Sequence, residues 1–184
     1  MTQHSSVQLT PPVTDRDHIQ GSMEAPVTLV EYGDYECPHC GLAFPNVKLA
    51  QKRFGKKLRF VFRHFPLTEA HPFAEAAAEA AEYAGTHDRF WEMHDGLYTN
   101  QDELGLALIL GLGRALGLSD LGLRDALAQR RFAAKIQADF LGGVRSGVNG
   151  TPSFFINGEK HSGSYSYQEL AAAIDAHLQA IPAR

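Results

Sequence analysis

Cys37 and Cys40 are the only cysteines in 184 residues, and they stand as Cys37-Pro38-His39-Cys40 at a junction between two kinds of chain. That junction constrains the fold more than any other stretch. Before it, Pro26-Val27-Thr28-Leu29-Val30-Glu31-Tyr32 is rich in β-branched and aromatic residues and reads as a strand. Gly33-Asp34-Tyr35-Glu36 supplies the turn. Pro38 suits a first helical position, where its missing N–H costs nothing and its φ is already helical. A helix from Pro38 to about Phe54 follows, stopped by Gly55. Cys37 then falls at the helix N-terminus with Cys40 three residues on, on the same face and within disulfide reach.

The chemistry follows from that placement. Unpaired N–H groups and the macrodipole at a helix N-terminus favour negative charge, so a Cys37 thiolate is stabilised there. A thiolate is the nucleophile of disulfide exchange, and a thiol of low pKa is also the better leaving group. His39 adds a donor and a titratable positive charge beside it. Cys37 is therefore the expected attacking cysteine and Cys40 the resolving one. A zinc site would need about four ligands, usually a second close pair of Cys or His. There is no third cysteine, and His87 and His94 are seven residues apart, so no metal is expected. A purely structural disulfide is disfavoured too, because closing so short a loop removes little unfolded-state entropy.

A net charge of -4 argues against a broad nucleic-acid surface. One basic stretch, Lys48, Lys52, Arg53, Lys56, Lys57, Arg59 and Arg63, is read as a solvated face near a helix C-terminus. The longest apolar run, Leu104 to Gly113, is about half of what spans a bilayer, so no membrane partner is expected. Residues 1–17 read as a mobile polar tail without the apolar core of a secretory signal. The expected compartment is the cytoplasm, or the periplasm if a leader has been removed. In a reducing compartment a lone C-x-x-C is catalytic or redox-sensing rather than structural.

Further along, His18 to Ser22 reads as a short edge strand, and Lys57 to Phe65 as a strand with one buried face, closed by Pro66. Thr68 to Val148 is helical nearly throughout. Its stripes, such as Phe73, Ala76, Ala77, Ala80, Ala81 and Ala84, are core rather than a cofactor site. Ser153-Phe154-Phe155-Ile156 is a strand, Asn157-Gly158 a hairpin turn and Glu159-Lys160-His161 the return strand. Tyr167 to about Ala180 is a final helix. The predicted fold is a mixed α/β sheet with helices: a mobile tail over 1–17, a sheet domain over 18–67 and 147–184, and an all-helical insertion over 68–146.

The strand, turn and Cys37-Pro38-His39-Cys40, with Gly150-Thr151-Pro152 leading into Ser153–Gly158, resemble the DsbA-like branch of the thioredoxin superfamily. The helical insertion distinguishes that branch from thioredoxin itself, and the likeness runs over roughly residues 18–181. The segments His64-Phe65-Pro66-Leu67 and Phe90–Asp95 are similar to a subgroup often lacking a signal peptide or fused to other domains. The resemblance implies a thioredoxin-like fold and a cis Thr151–Pro152 bond opposite the sulfurs. There Thr151 offers its backbone to an extended substrate and Pro152 keeps a metal from capturing both thiols. It also implies that Glu31 relays a proton to or from Cys40, the alternative being an exposed strand carboxylate. Glu36 stands near the helix N-terminus, where its charge opposes ionisation of the thiol. The implied activity is thiol:disulfide oxidoreduction that forms, reduces or isomerises disulfides without a cofactor. Its partners are protein or small-molecule thiols and a separate redox partner. Two alternatives stand beside it: a glutathione-dependent, kappa-like transferase or isomerase, and a chaperone-like peptide binder whose cysteines only sense redox state.

Overall fold

The computed structural model describes residues 8–181. Among them the chain runs through strands β1 (His18–Gly21) and β2 (Val27–Gly33), helix α1 (Pro38–Phe54) and strand β3 (Leu58–His64). Five helices follow: α2 (Ala74–Gly85), α3 (Phe90–Thr99), α4 (Leu106–Ala115), α5 (Asp120–Gln129) and α6 (Ala133–Arg145). Strands β4 (Ser153–Ile156) and β5 (Glu159–Lys160) and helix α7 (Tyr167–Gln179) complete the chain. The strands form one sheet in the order β1-β3-β2-β4-β5. β1 is antiparallel to β3, β4 to β2, and β5 to β4. This is the mixed α/β architecture that the sequence predicts.

Local chemistry accounts for the main boundaries. Gly55, at φ +50°, ends α1 in a left-handed conformation that a side chain would strain. Helix α1 continues through Pro45, which leaves the Gly41 carbonyl without its usual intrahelical donor. Asn157 and Gly158 both have positive φ, the signature of the two-residue turn that matches strand twist. Ser119 caps α5 and Ser166 caps α7, each hydroxyl accepting a backbone N–H three residues on.

Strand β3 departs from the expected alternation. Phe60, Val61, Phe62, Arg63 and His64 are all buried, because a central strand is covered on both faces. Arg63 therefore does not belong to the solvated basic face. It is 3 % exposed, and its guanidinium donates to both Asp17 oxygens (2.7 and 3.0 Å), the Tyr32 hydroxyl (2.9 Å) and the carbonyls of Pro11 and Pro12 (2.9 and 3.0 Å).

That network also corrects the reading of residues 8–17 as a mobile tail. Leu9 is buried and its N–H donates to the Gly158 carbonyl, Thr10 N–H donates to Ser146 Oγ, and Gln8 bridges Glu159 at the edge of β5. Asp17 and the carbonyls of Pro11 and Pro12 in this segment serve a buried cation, a role that composition does not reveal. Residues 1–7 lie outside the described residues.

By internal contacts the chain divides into two compact units. Among the described residues, one contains 8–32, Leu42–Arg63 and 141–181; within it α7 packs on β4. The other contains Gly33–Gly41 and His64–Phe140. In that unit α2 packs against α3, α4 and α5, with Ala77, Ala80, Ala81 and Ala84 buried so that backbones approach closely. The turn carrying the cysteines thus groups with the helices α2–α5.

Candidate active site

Helix α1 starts at Pro38, and its first hydrogen bond runs from Gly41 N–H to the Cys37 carbonyl (3.1 Å). Cys37 therefore occupies the capping position, where the helix N-terminus favours negative charge on sulfur. Cys37 is 4 % exposed and Cys40 0 %. Pro38 and His39, between them, are exposed.

The turn before Cys37 is organised by Asp34, whose side chain is fully buried. Its Oδ1 accepts the Glu36 N–H (2.8 Å), and its Oδ2 accepts the Leu67 N–H (2.9 Å) and is 2.7 Å from His71 Nδ1. Its backbone carbonyl accepts the Cys37 N–H (3.2 Å). A buried carboxylate is tolerated only when so paired. Glu36 is turned to the same loop, its carboxylate accepting the Phe73 N–H (2.6 Å). Burial by itself pulls the His71 pKa down. The hydrogen bond to Asp34 and the negative charges of Asp34, Cys37 and Glu36 together outweigh that pull and hold it above its ordinary value.

From the other side, the Gln101 amide donates to the carbonyls of Tyr35 (2.8 Å) and Cys37 (2.9 Å). The Tyr35 hydroxyl meets His94 Nδ1 at 3.0 Å, within an aromatic cluster that includes Tyr98, Phe90 and Trp91. The turn before Cys37 is thus held by the loop 65–73, by Gln101 and by α3. Rigid support of this kind keeps the Cys37 backbone in one geometry.

The remaining predicted site residues lie in the other contact unit. Glu31 sits on β2 opposite Phe154 and is 2 % exposed, so it is not an exposed strand carboxylate. Thr151 and Pro152 directly precede β4, both half-buried, and the bond joining them is cis. Sequence reasoning missed Asp34 as an organiser, His71 and Gln101. Asp34 reads as an ordinary turn residue. His71 falls in an aperiodic loop between Pro66 and Pro72, 37 positions from its partner, so no spacing signals it.

The chain matches the thioredoxin family model over residues 13–176. Among curated proteins it is 50 % identical over 166 residues to the Na(+)/H(+) antiporter NhaA 1 of Salinispora arenicola, an alignment covering 90 % of this chain. The chain spans only about a quarter of that relative's length, 25 %, and no helix among the described residues is long and apolar enough to cross a membrane. Among solved structures it superposes on oxidised BdbD of Bacillus subtilis with a TM-score of 0.83, at 24 % identity, covering 95 % of this chain and 97 % of that one. A thioredoxin-like oxidoreductase of Silicibacter pomeroyi gives 0.78 at 26 % identity, covering 91 % and 95 %. The thiol-disulfide exchange protein alpha-DsbA2 of Wolbachia pipientis gives 0.75 at 21 % identity, covering 87 % and 86 %. With a family match across most of its length and a DsbA-like fold around its one cysteine pair, the chain belongs to the thioredoxin family.

Proposed function

We propose that the chain is a thiol:disulfide oxidoreductase working through Cys37 and Cys40. The observation that carries this is the position of its only two cysteines, buried at the N-terminus of α1 in a thioredoxin-family fold. As an oxidant, the Cys37–Cys40 disulfide is attacked at Cys37 by a substrate thiolate, and Cys40 leaves. The substrate's second thiol then releases Cys37. As a reductant the order reverses, with Cys37 attacking and Cys40 resolving. Thr151 and Pro152 receive the extended substrate backbone, and the buried Glu31 passes a proton to or from Cys40. His39 adds its charge beside Cys37. The transport activity in the relatives' names belongs to proteins about four times longer, so the activity assigned to this chain is that of the matching segment alone.

Insulin reduction and oxidative refolding of a reduced dithiol protein test the assignment. Cys37→Ser abolishes both, and Cys40→Ser accumulates a mixed disulfide with substrate. Turnover by the Cys37 variant at the wild-type rate overturns it. Glutathione binding separates the transferase alternative, and suppression of aggregation by the Cys37→Ser/Cys40→Ser variant separates the chaperone-like one.

A further inference from the structure

Asp34 joins two groups that the sequence keeps apart. Through its carbonyl it holds the N–H of Cys37 (3.2 Å), and through its fully buried carboxylate it holds the imidazole of His71 (2.7 Å). The imidazole is itself mostly covered, its side chain 18 % exposed. Because Asp34 accepts at Nδ1, a proton is fixed on that nitrogen, and a second proton on Nε2 makes the ring a cation. Leu67 N–H on the same carboxylate and Phe73 N–H on Glu36 brace both ends of the loop, so the ring has little freedom to swing away. Asp34 touches the ring directly, and the charges of Asp34, Cys37 and Glu36, all on the same turn, each favour a proton on it.

We propose that His71, seated on Asp34, is the positioning cation of the Cys37 thiolate and the group that takes up a proton when the Cys37–Cys40 disulfide is reduced. The inference rests on the disulfide-exchange reading and adds a residue to it. Without an imidazolium here, the thiolate would share its surroundings with two carboxylates and be disfavoured. With it, one of those three negative charges is offset beside the sulfur. Coupling between two titrating groups is reciprocal: whatever the thiolate does to hold the proton on His71, the protonated His71 does equally to hold the thiolate ionised.

The balance of the reduction is simple. A substrate dithiol gives up two electrons and two protons and becomes a disulfide. Its first thiolate attacks Cys37 Sγ, the Cys37–Cys40 bond breaks, and Cys40 leaves with the bonding pair and takes one proton. The second substrate thiolate attacks the substrate sulfur of the mixed disulfide, and Cys37 leaves as a thiolate. The second proton resides on His71, so the reduced site is a thiolate–imidazolium pair and the oxidised site a disulfide beside a less basic imidazole. Re-oxidation by a partner disulfide returns that proton.

The test is an NMR titration of the His71 imidazole in oxidised and reduced protein, its resonance assigned by its absence in His71→Gln. Thiol counting establishes the redox state first. The His71 midpoint is expected about one pH unit higher in the reduced protein. In a Cys40→Ser background, where Cys37 titrates alone, thiolate absorbance should move up by a similar amount on His71→Gln. His71→Lys, which keeps a cation, should restore it. A tenfold loss of thiolate stabilisation makes the His71→Gln pair about 30 mV more reducing. Equal His71 midpoints in the two redox states overturn this inference while leaving disulfide exchange intact. A protein in which the disulfide never forms overturns both.

Discussion

The side-chain amide of Gln101 donates to the carbonyl of Cys37 at 2.9 Å, so a residue from the helical part of the chain pins the backbone of the first cysteine. The same nitrogen reaches the Tyr35 carbonyl at 2.8 Å. Room for it comes from Gly41: a Cβ there would stand 2.1 Å from Gln101 Oε1. The atom in the way ends a flexible side chain, so Gly41→Ala evicts Gln101 rather than breaking the helix. Gln101→Ala is expected to cost about 1–2 kcal/mol through two lost hydrogen bonds. Alanine favours helix over glycine by about 1 kcal/mol, so Gly41→Ala should destabilise the wild type yet stabilise the Gln101→Ala protein. Urea unfolding of the four proteins checks this. The same sign of effect in both backgrounds contradicts the steric link.

How much of this was legible in the sequence depended on the range of the interaction. The cysteine motif, Pro38 and Gly55 act within one turn, and α1 begins and ends where they place it. Asn157-Gly158 needs only its own two dihedrals, and β4 and β5 pair across it as expected. Arg63 failed for a physical reason: alternation assumes one wet face, and β3 has none. Asp34 and His71 failed differently. Their hydrogen bond spans 37 positions and depends on where a loop without periodicity lands.

Residues 8–17 are expected to behave as structure. Arg63 has no carboxylate partner other than Asp17 among the described ion pairs, and two of its other acceptors are the Pro11 and Pro12 carbonyls. Deleting the chain through Asp17 strands a buried guanidinium, a loss of about 3–5 kcal/mol. Asp17→Ala alone should reproduce most of that loss, while Asp15→Ala, on an exposed neighbour, should fall within about 0.5 kcal/mol of wild type. Thermal unfolding measures all three. A truncated protein as stable as the full chain would show that the network contributes nothing.

Glu79 is expected to weaken the fold at neutral pH. It lies in α2 at 1 % exposure, with Oε2 accepting the Phe132 N–H (2.9 Å) and Oε1 buried without a hydrogen-bond partner. Burial raises its pKa most. The Phe132 N–H and Arg130 pull it down, but the charges of Glu75 and Glu82 add to the rise, and the net direction is upward. A carboxyl whose folded pKa is raised binds its proton more tightly in the folded state. Its favourable contribution is therefore complete below the unfolded pKa and is lost as pH climbs through the folded one. Glu79→Gln keeps an oxygen for Phe132 and removes the charge, so it should be more stable than wild type at pH 7. That advantage should shrink as pH falls toward 4.5, the ordinary glutamate value, where the wild-type side chain also becomes neutral. Urea unfolding of both proteins from pH 4 to pH 8 reads the difference directly. A gain of equal size at every pH would trace to packing, and a loss at pH 7 would mean that the carboxylate is compensated by partners stronger than Arg130 and the Phe132 N–H.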